Sequence, residues 1–380
     1  MANGPTNAAL TLQPGAMISP TLRLVRPLAV GGMGSVWVAD HLAFRTHVVV
    51  KFMSEALASN ADALARFSRE AAAASQVKSP HVVHMIEHGV TNAGVPFIAM
   101  EMLDGRDLRH LLDERRTLEP ELVSNVVSQV ARALMAANQR GIVHRDIKPE
   151  NIFLTDAGGG DLFVKVLDFG IAKATTGEMS RSTGTGAMLG TPSYMSPEQI
   201  LGQKTIDFRS DLWALGIVAY EALTGSVPFD GETVGAISVA ICSGQAPAMS
   251  QRAPQLGPAF DAWFARACAR EPSHRFSSAK EMADALAVTV SGFGDEATTL
   301  LARPLHSGAL DADASSRVQV PITNVSLPAV PTTTPSSARQ LTTGGASSTT
   351  TAQADGASVA RPKRFANLLS GGIKIGRAHV

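Results

Sequence analysis

The chain has 380 residues, of which 45% are hydrophobic and 17% charged, a composition typical of a globular protein rather than a disordered or fibrous one. Basic and acidic side chains number 33 each, and residues 1–290 carry 25 basic against 28 acidic groups, so a nucleic-acid partner is not expected. Cys242 and Cys268 stand far apart and outside any Cys-x-x-Cys pattern, which excludes a disulfide scaffold and a zinc knuckle and is typical of a reducing cytosol.

The first residues give no sign of export or of a compact element. No charged-then-apolar leader opens the chain, and no run of about 18 apolar residues occurs in it, so we expect neither a signal peptide nor a bilayer span within these residues. Residues 1–20 are polar and contain proline and glycine, which predicts a flexible lead.

Five strands and one helix are predicted next. The runs "TLRLVRPLAV", "SVWVADHL", "THVVVKFM", "VVHMIEHGV" and "VPFIAMEML" are rich in β-branched residues and tend to alternate. The run "ADALARFSREAAAASQV" has apolar residues at helical spacing. From Leu108 to "SSAKEMADALAVTV" the pattern is mostly helical. We therefore expect an α+β architecture, with a small β-rich lobe at 21–103 and a larger α-rich lobe at 104–290.

The composition changes after Val290. The stretch "PTTTPSSARQLTTGGASSTTTAQADGAS" is rich in Thr, Ser, Gly and Pro and has almost nothing to bury. Such a segment cannot offset its own ordering entropy, so residues 291–373 are predicted to be a disordered linker.

Two features of the first lobe carry residues suited to phosphate chemistry. "GGMGSV" at 31–36 lies between two predicted strands, and such a turn lets backbone N–H groups approach phosphates, although most such turns are simple hairpins. Lys51 ends the apolar strand "VVVK", and Glu70 lies on the helix that follows. Each of these charges, taken alone, is most simply a solvated surface group.

Two further features lie in the second lobe. "HRDIKPEN" at 144–151 places a carboxylate, an ammonium and an amide at spacings of two and three between a predicted helix and a predicted strand. Asp146 alone would be an ordinary turn residue. Asp168 of "VLDFGIA" stands between apolar residues, where a partly buried carboxylate needs a cation or a metal. The ordinary interpretations do not explain why all of these residues occur in this order.

With these motifs in this order, residues from about Thr21 to Val290, some 70% of the chain, resemble a bacterial eukaryotic-like (Hanks-type) serine/threonine protein kinase. The resemblance implies a bilobal kinase fold and transfer of the γ-phosphoryl group of ATP to Ser and Thr hydroxyls of proteins, the kinase itself included. It also implies Mg²⁺ as the metal, with Mn²⁺ as a substitute.

The resemblance assigns the catalytic roles residue by residue. Asp146 would orient the substrate hydroxyl and accept its proton, and Lys148 would neutralise the transferring phosphoryl group. Asn151 and Asp168 would ligate the metal. These residue types suit the chemistry, because the transition state spreads charge over oxygens that cations must neutralise.

Nucleotide binding is assigned in the same way. Lys51 would hold the α- and β-phosphates and pair with Glu70. Backbone groups of Glu101 and Leu103 would contact adenine at the hinge, and Asp107 would contact the ribose. The glycine-rich loop over the phosphates consists of Gly31, Gly32 and Gly34.

Three positions depart from the family pattern. Ala29 replaces the first glycine of the loop, Val49 replaces an alanine, and Phe153 replaces an aliphatic residue beneath the adenine. Together with Val36 over the adenine and a gatekeeper-like Met100, these side chains predict a tight purine slot. We expect the slot to accept ATP and to reject bulky adenine mimics.

The segment after Asp168 resembles an activation segment. Thr191 of "GTPSY", together with Lys148, marks specificity for Ser and Thr rather than Tyr. Thr183 and Thr185 of "MSRSTGTGAML" are the predicted activating phosphorylation sites, because the residue before the catalytic-type aspartate is Arg145, which gains a phosphate partner in the family. A loop without any regulatory role is the simpler alternative.

Two framework contacts are also implied. Glu198 of "SPEQ" would pair with Arg275 of "EPSHRF", and Asp211 of "DLWALG" would brace the loop that carries Asp146. In the family, the segment with "GTPSY" and "SPEQ" docks peptide substrates. Its presence argues against a small-molecule phosphotransferase of related fold, such as an aminoglycoside kinase, which lacks it. A pseudokinase, the other alternative, would be favoured by loss of the lysine, aspartate or asparagine residues named above, and none is lost.

The last residues raise a separate question. "KIGRAHV" at 374–380 matches one reading frame of a widely used sequencing adapter followed by a stop codon, so we expect an artefact there, with a real basic tail as the alternative. Before it, "RPKRF" at 361–365 is a basic cluster after a long linker. In the family such a linker often leads to a single membrane span with the kinase in the cytoplasm, which predicts an inner-membrane anchor in a missing part. Homodimerisation is left open.

Overall fold

The computed structural model describes residues 12–31, 34–53, 61–156, 158, 161–169 and 192–301, all of which lie within one compact unit. The predictions for 302–373 and 374–380 lie outside these residues.

The first lobe is built on a five-stranded antiparallel sheet. Its strands are β1 (Leu22–Gly31), β2 (Gly34–His41), β3 (Thr46–Met53), β4 (Met85–Val90) and β5 (Pro96–Glu101), in the order β1-β2-β3-β5-β4. Burial alternates along much of β2 and β3, as expected for strands with one face on a core. The predicted five strands are confirmed.

One helix, α1 (Ala61–Ala74), follows β3. Its apolar residues recur at helical spacing, and Phe67 and Ala71 are fully buried in the larger of two core clusters. The helix therefore positions Glu70, which lies between these two residues, close to the inner side of the sheet.

The second lobe is mostly helical, as predicted. Within the described part of the chain its helices are α2 (Leu108–Arg115), α3 (Pro120–Asn138), α4 (Pro197–Ile200), α5 (Arg209–Thr224), α6 (Val234–Ser243), α7 (Met249–Arg252), α8 (Gly257–Ala267) and α9 (Ala279–Leu301). A small sheet, β6 (Arg106–Asp107), β7 (Ile152–Asp156) and β8 (Leu162–Val166), lies in this lobe and carries the segments that flank the candidate site.

Helix α5 forms the centre of the second lobe. Its residues from Ser210 to Leu223 are all buried, and Trp213 and Tyr220 have no exposed surface. Gly216 permits close packing there, because a Cβ atom at this position would lie 2.8 Å from the Sγ atom of Cys268. A helix that is apolar on nearly all of its faces is expected to be buried on all sides.

The boundaries of the folded unit differ from the prediction at both ends. Ile18 is 5% exposed and belongs to the core of the first sheet, and the N–H of Gly15 donates to the carbonyl of Leu24 at 2.7 Å, so residues from 12 onward are not a flexible lead. Helix α9 continues past Val290 to Leu301, because Phe293 packs edge-on against Phe260 with ring centroids 5.7 Å apart.

None of the helices in the described ranges combines the length and the apolar character that crossing a membrane requires.

Candidate active site

Residues 144–151 form a loop between α3 and β7 that ends in a 3-10 turn, Pro149–Asn151. The Nζ atom of Lys148 lies 3.2 Å from Oδ2 of Asp146. The Nδ2 atom of Asn151 donates to the same Oδ2 at 3.0 Å and to the backbone oxygen of Asp146 at 2.7 Å. Three predicted site residues are thus brought together. Because the side-chain nitrogen of Asn151 donates within the loop, the side-chain oxygen Oδ1 is the atom suited to bind a metal.

Asp211, in the first turn of α5, holds this loop from the core. Its Oδ2 accepts a hydrogen bond from the backbone N–H of His144 at 2.8 Å, and its Oδ1 accepts one from the N–H of Arg145 at 2.7 Å. Burial raises the pKa of Asp211, although His144 and Arg145 oppose that shift. The backbone of Arg145 has φ 65°, a left-handed conformation that residues other than glycine rarely adopt, and the hydrogen bond to Asp211 helps to maintain it.

Lys51 and Asp168 form the second part of the site. Lys51 lies on β3, and its Nζ donates to Oδ2 of Asp168 at 2.6 Å. Asp168 follows β8 with φ 50°. Burial alone would lower the pKa of Lys51, but the charge and hydrogen bond of Asp168 outweigh it and the pKa is raised. The ammonium therefore stays charged at neutral pH.

The predicted pair between Lys51 and Glu70 is not formed in this structure. The Oε2 atom of Glu70 is buried and has no hydrogen-bond partner among the described residues. Burial raises the pKa of Glu70, and the main opposing field comes from Arg145. The physical reason for the difference is the placement of α1. The carboxylates that act on the Lys51 ammonium are those of Asp168 and Asp146, and the cations that act on Glu70 are arginines.

The residues predicted to line the purine slot lie on β2, β3, β5 and β7. Val36, Val49 and Met100 are each partly exposed, whereas their neighbours Trp37, Val48 and Ala99 are buried, as expected for strands with two different faces. Val49 and Met100 are direct cross-strand partners. Phe153, also partly exposed, lies on β7 in the other lobe.

Gly34, in the glycine-rich loop, has a conformational reason to be glycine. It has φ 133°, and a Cβ atom there would lie 2.0 Å from the backbone oxygen of Phe52 on the paired strand. Gly31 ends β1. Gly32 and the predicted residues Thr183, Thr185 and Thr191 lie outside the described residues.

Asp107 has a local role in addition to the predicted ribose contact. It is the N-cap of α2, and its Oδ1 accepts a hydrogen bond from the N–H of His110 at 2.9 Å and lies 2.8 Å from Nδ1 of the same residue. Leu103 is partly exposed in the segment between the two lobes. The ribose and hinge contacts stay predictions.

The Glu198–Arg275 pair is present and buried. Two parallel hydrogen bonds of 2.7 and 2.8 Å join the guanidinium to the carboxylate, whose Oε1 also accepts from Ser210 at 2.6 Å. Burial would raise the pKa of Glu198, but the hydrogen bonds from Arg275 and Ser210 lower it overall. The pair joins α4 to the segment that precedes α9, and the bond from Ser210 joins α4 to α5. Helix α4 directly follows the segment that contains Thr191.

The sequence did not predict two groups of polar contacts near the site. Arg109 donates to the hydroxyl of Tyr194 at 2.9 Å and to Oε1 of Glu221 at 2.7 Å, and Tyr194 donates to Oε2 of Glu221 at 2.6 Å. Lys165 donates to Oε1 of Glu101 at 2.6 Å. Glu221 could have been singled out, because it is a charged residue inside an otherwise apolar helix.

The bilobal architecture and the loop around Asp146 define the class of protein. The chain belongs to the protein kinase family, since the family model described as "Protein kinase domain" matches residues 22–286. Three curated bacterial relatives are serine/threonine-protein kinases, so the predicted membership of the bacterial eukaryotic-like serine/threonine kinases is confirmed.

Two relatives and one solved structure show how far the similarity extends. The chain is 40% identical over 271 residues to Pkn1 of Myxococcus xanthus, covering 71% of this chain and 38% of that protein. It is 38% identical over 308 residues to PknD of Mycobacterium tuberculosis, covering 78% of this chain and 45% of that protein. The kinase domain of Mycobacterium tuberculosis PknI superposes with a TM-score of 0.61 at 30% identity, covering 74% of this chain and all of that domain. The chain thus spans less than half the length of these curated relatives.

Proposed function

We propose that this domain transfers the γ-phosphoryl group of ATP, bound with Mg²⁺, to serine and threonine hydroxyls of proteins, its own included. The observation that carries the proposal is the gathering of Asp146, Lys148 and Asn151 on one loop that Asp211 braces from the core. Membership of the kinase family supports the same reaction.

The chemistry assigned to each residue follows from its contacts. Asp146 accepts the proton of the substrate hydroxyl, and the Asn151 amide fixes the orientation of its carboxylate. Lys148, 3.2 Å from that carboxylate, provides a positive charge where the phosphoryl group is transferred. Lys51, which stays charged because its pKa is raised, binds the non-transferring phosphates.

The donor set fits a magnesium ion. Asp168 offers a carboxylate and Asn151 an amide oxygen, and hard cations such as Mg²⁺ prefer a small number of protein oxygens beside phosphate. When bound, the ion would neutralise phosphate charge. Asp168 is held by Lys51 at 2.6 Å, so its carboxylate lies against β3.

Incubation of the full 380-residue chain with Mg-ATP, followed by mass spectrometry of phosphosites, tests the reaction. We expect phosphate on Ser and Thr only. Asp146→Asn should lower the rate by about 10²–10⁴-fold, because a positioned general base contributes that much, while the fold stays intact by circular dichroism. Lys51→Met should abolish the reaction, because the non-transferring phosphates lose the ammonium that binds them.

The outcomes also separate the alternatives. Nucleotide binding without any transfer would identify a pseudokinase. Transfer to an aminoglycoside but to no protein would identify a small-molecule phosphotransferase. Unchanged transfer in Asp146→Asn would contradict the role of that residue.

Phosphorylation of Thr183 and Thr185 is the regulatory part of the proposal. Arg145 supports it, since its guanidinium belongs to the same loop as Asp146 and the backbone of Arg145 is fixed by Asp211 on one side and by Gln199, at 2.9 Å, on the other. A phosphothreonine would add a strong acceptor for a guanidinium near the 144–151 loop.

The Thr183→Ala/Thr185→Ala double variant should therefore lose most of its activity on a peptide substrate. Ser180→Ala, in the same stretch, is the matched control. Full activity of the double variant would refute the regulatory proposal while leaving the catalytic one intact.

Membrane anchoring and homodimerisation stay proposals for the full-length protein. The basic stretch 361–365 supports an anchor, and recovery of the genomic locus tests it: a full-length gene without a downstream apolar run of about 20 residues would exclude the anchor.

A further inference from the structure

Lys165 and Glu101 form an ion pair that the catalytic scheme does not use. The Nζ of Lys165 donates to Oε1 of Glu101 at 2.6 Å, and the two side chains are 17% and 28% exposed. Lys165 lies on β8 in the second lobe, whereas Glu101 ends β5 in the first. The pair therefore joins the two lobes at the point where the chain passes from one to the other.

The Glu101 side chain is fixed on a second side as well. The backbone N–H of His84 donates to the same Oε1 atom at 2.6 Å, and the N–H of Glu101 donates back to the carbonyl of His84 at 3.0 Å. Three hydrogen bonds thus fix the last residue of β5. A charged hydrogen bond to a partly buried carboxylate is stronger than one between neutral groups.

Strand β8, which carries Lys165, is bonded to both lobes. Val166, next to Lys165, donates to the carbonyl of His81 at 2.8 Å and accepts from the N–H of Val83 at 3.0 Å, so β8 is fastened to the segment before β4. Lys165 is also the cross-strand partner of Phe153, and both residues lie on the partly exposed face of the small sheet. The ammonium is therefore on the side of the sheet that carries the predicted floor of the purine slot.

We propose that Lys165 is a positioning residue for adenine: by holding the Glu101 side chain from β8, it fixes the hinge backbone against which the base binds. This inference rests on the proposed ATP site. The base contacts would be made by backbone groups of Glu101 and Leu103, and Lys165 would act only through Glu101.

This role makes a specific thermodynamic prediction. Removing the ammonium should weaken every ligand that contains adenine by the same factor, since the phosphates are bound elsewhere by Lys51. Lys165→Met should therefore raise the Kd of ATP, ADP and adenosine alike by about fivefold, as the loss of one partly exposed ion pair allows. KM for ATP should rise similarly, while kcat at saturating ATP and KM for a peptide substrate should stay unchanged.

Isothermal titration of the full chain with the three ligands is the experiment. Lys165→Arg should restore affinity, and Lys280→Met, which breaks the exposed pair with Asp284, is the matched control with no effect. In a double-mutant cycle, the Lys165→Met/Glu101→Gln double variant should bind these ligands no more weakly than Glu101→Gln alone. Lys165→Gln replaces Lys165→Met if that variant does not fold.

Three results would overturn the proposal. A loss confined to ATP and ADP, with adenosine unaffected, would mean that Lys165 acts on Asp168 through β8. A lower Tm with unchanged Kd values would mean a role in stability alone. Failure of the wild-type protein to bind any adenine ligand would refute the proposed function itself, and this inference with it.

Discussion

Replacing Arg275 with methionine should be among the most destabilising single changes in the second lobe. The Arg275 side chain is fully buried and donates five hydrogen bonds, two to Glu198 and three to backbone carbonyls. Methionine would leave the Glu198 carboxylate, whose side chain is 4% exposed, with Ser210 as its remaining donor among these contacts. Breaking a buried pair by removing one partner costs about 3–5 kcal/mol.

The assay is thermal and urea denaturation of the full chain. At about 2–4 °C per kcal/mol for a domain of this size, Tm should fall by about 6–20 °C. The matched control is Arg23→Met, which breaks an ion pair with Asp40. The Arg23 and Asp40 side chains are 49% and 30% exposed, so this change should cost about 0–1 kcal/mol. An Arg275→Met variant no less stable than the control would refute the reasoning.

The pH dependence gives an independent check on the same pair. The folded-state pKa of Glu198 is lowered, so the pair contributes stability above the unfolded value, near pH 4.5, and loses it as the pH falls through the folded value. In Arg275→Met, burial without the guanidinium should instead raise that pKa. The difference in unfolding free energy between wild type and variant should therefore be larger at pH 7 than at pH 4. A difference that does not depend on pH would contradict this account.

Two further predictions concern carboxylates around the site. Glu70→Gln should stabilise the ligand-free protein more at pH 8 than at pH 5. Burial raises the pKa of Glu70, so its ionisation opposes folding as the pH rises. Equal shifts of the urea midpoint at both pH values would contradict this. Tyr194→Phe should lower the free energy of unfolding by about 1.5–3 kcal/mol, and Tm with it, because the buried Tyr194 hydroxyl donates to Glu221 and accepts from Arg109. An unchanged calorimetric Tm would show that these bonds make no net contribution to stability.

Much of the architecture could be predicted because local patterns and burial agree. The alternation in "THVVVKFM" predicts β3, and the structure places the strand at the same residues, Thr46–Met53. The boundaries of the unit were less predictable, because they depend on contacts far apart in sequence. Phe293 extends α9 by packing on Phe260, and no local pattern reveals that contact.

The residues of the site could be identified, but not all of their partners. The spacing within "HRDIKPEN" brings Asp146, Lys148 and Asn151 together through local chain geometry alone. The partner of Lys51 is different, because Glu70 and Asp168 lie on separate elements and both are carboxylates. Which of them the ammonium binds depends on how α1 sits against the sheet, and sequence spacing does not encode that distance.

Helix α5 explains why distant motifs converge on one site. Among its buried residues the polar side chains include Ser210, Asp211 and Glu221, and each of these binds a segment outside the helix. Ser210 donates to Glu198, Asp211 accepts from the backbone of the 144–151 loop, and Glu221 binds Tyr194 and Arg109. A polar group inside an apolar helix is costly unless it is bonded, so each of these side chains requires its partner segment to be in place. The most buried helix of the lobe thereby fixes the loop of Asp146 and the segment after Thr191 relative to one another.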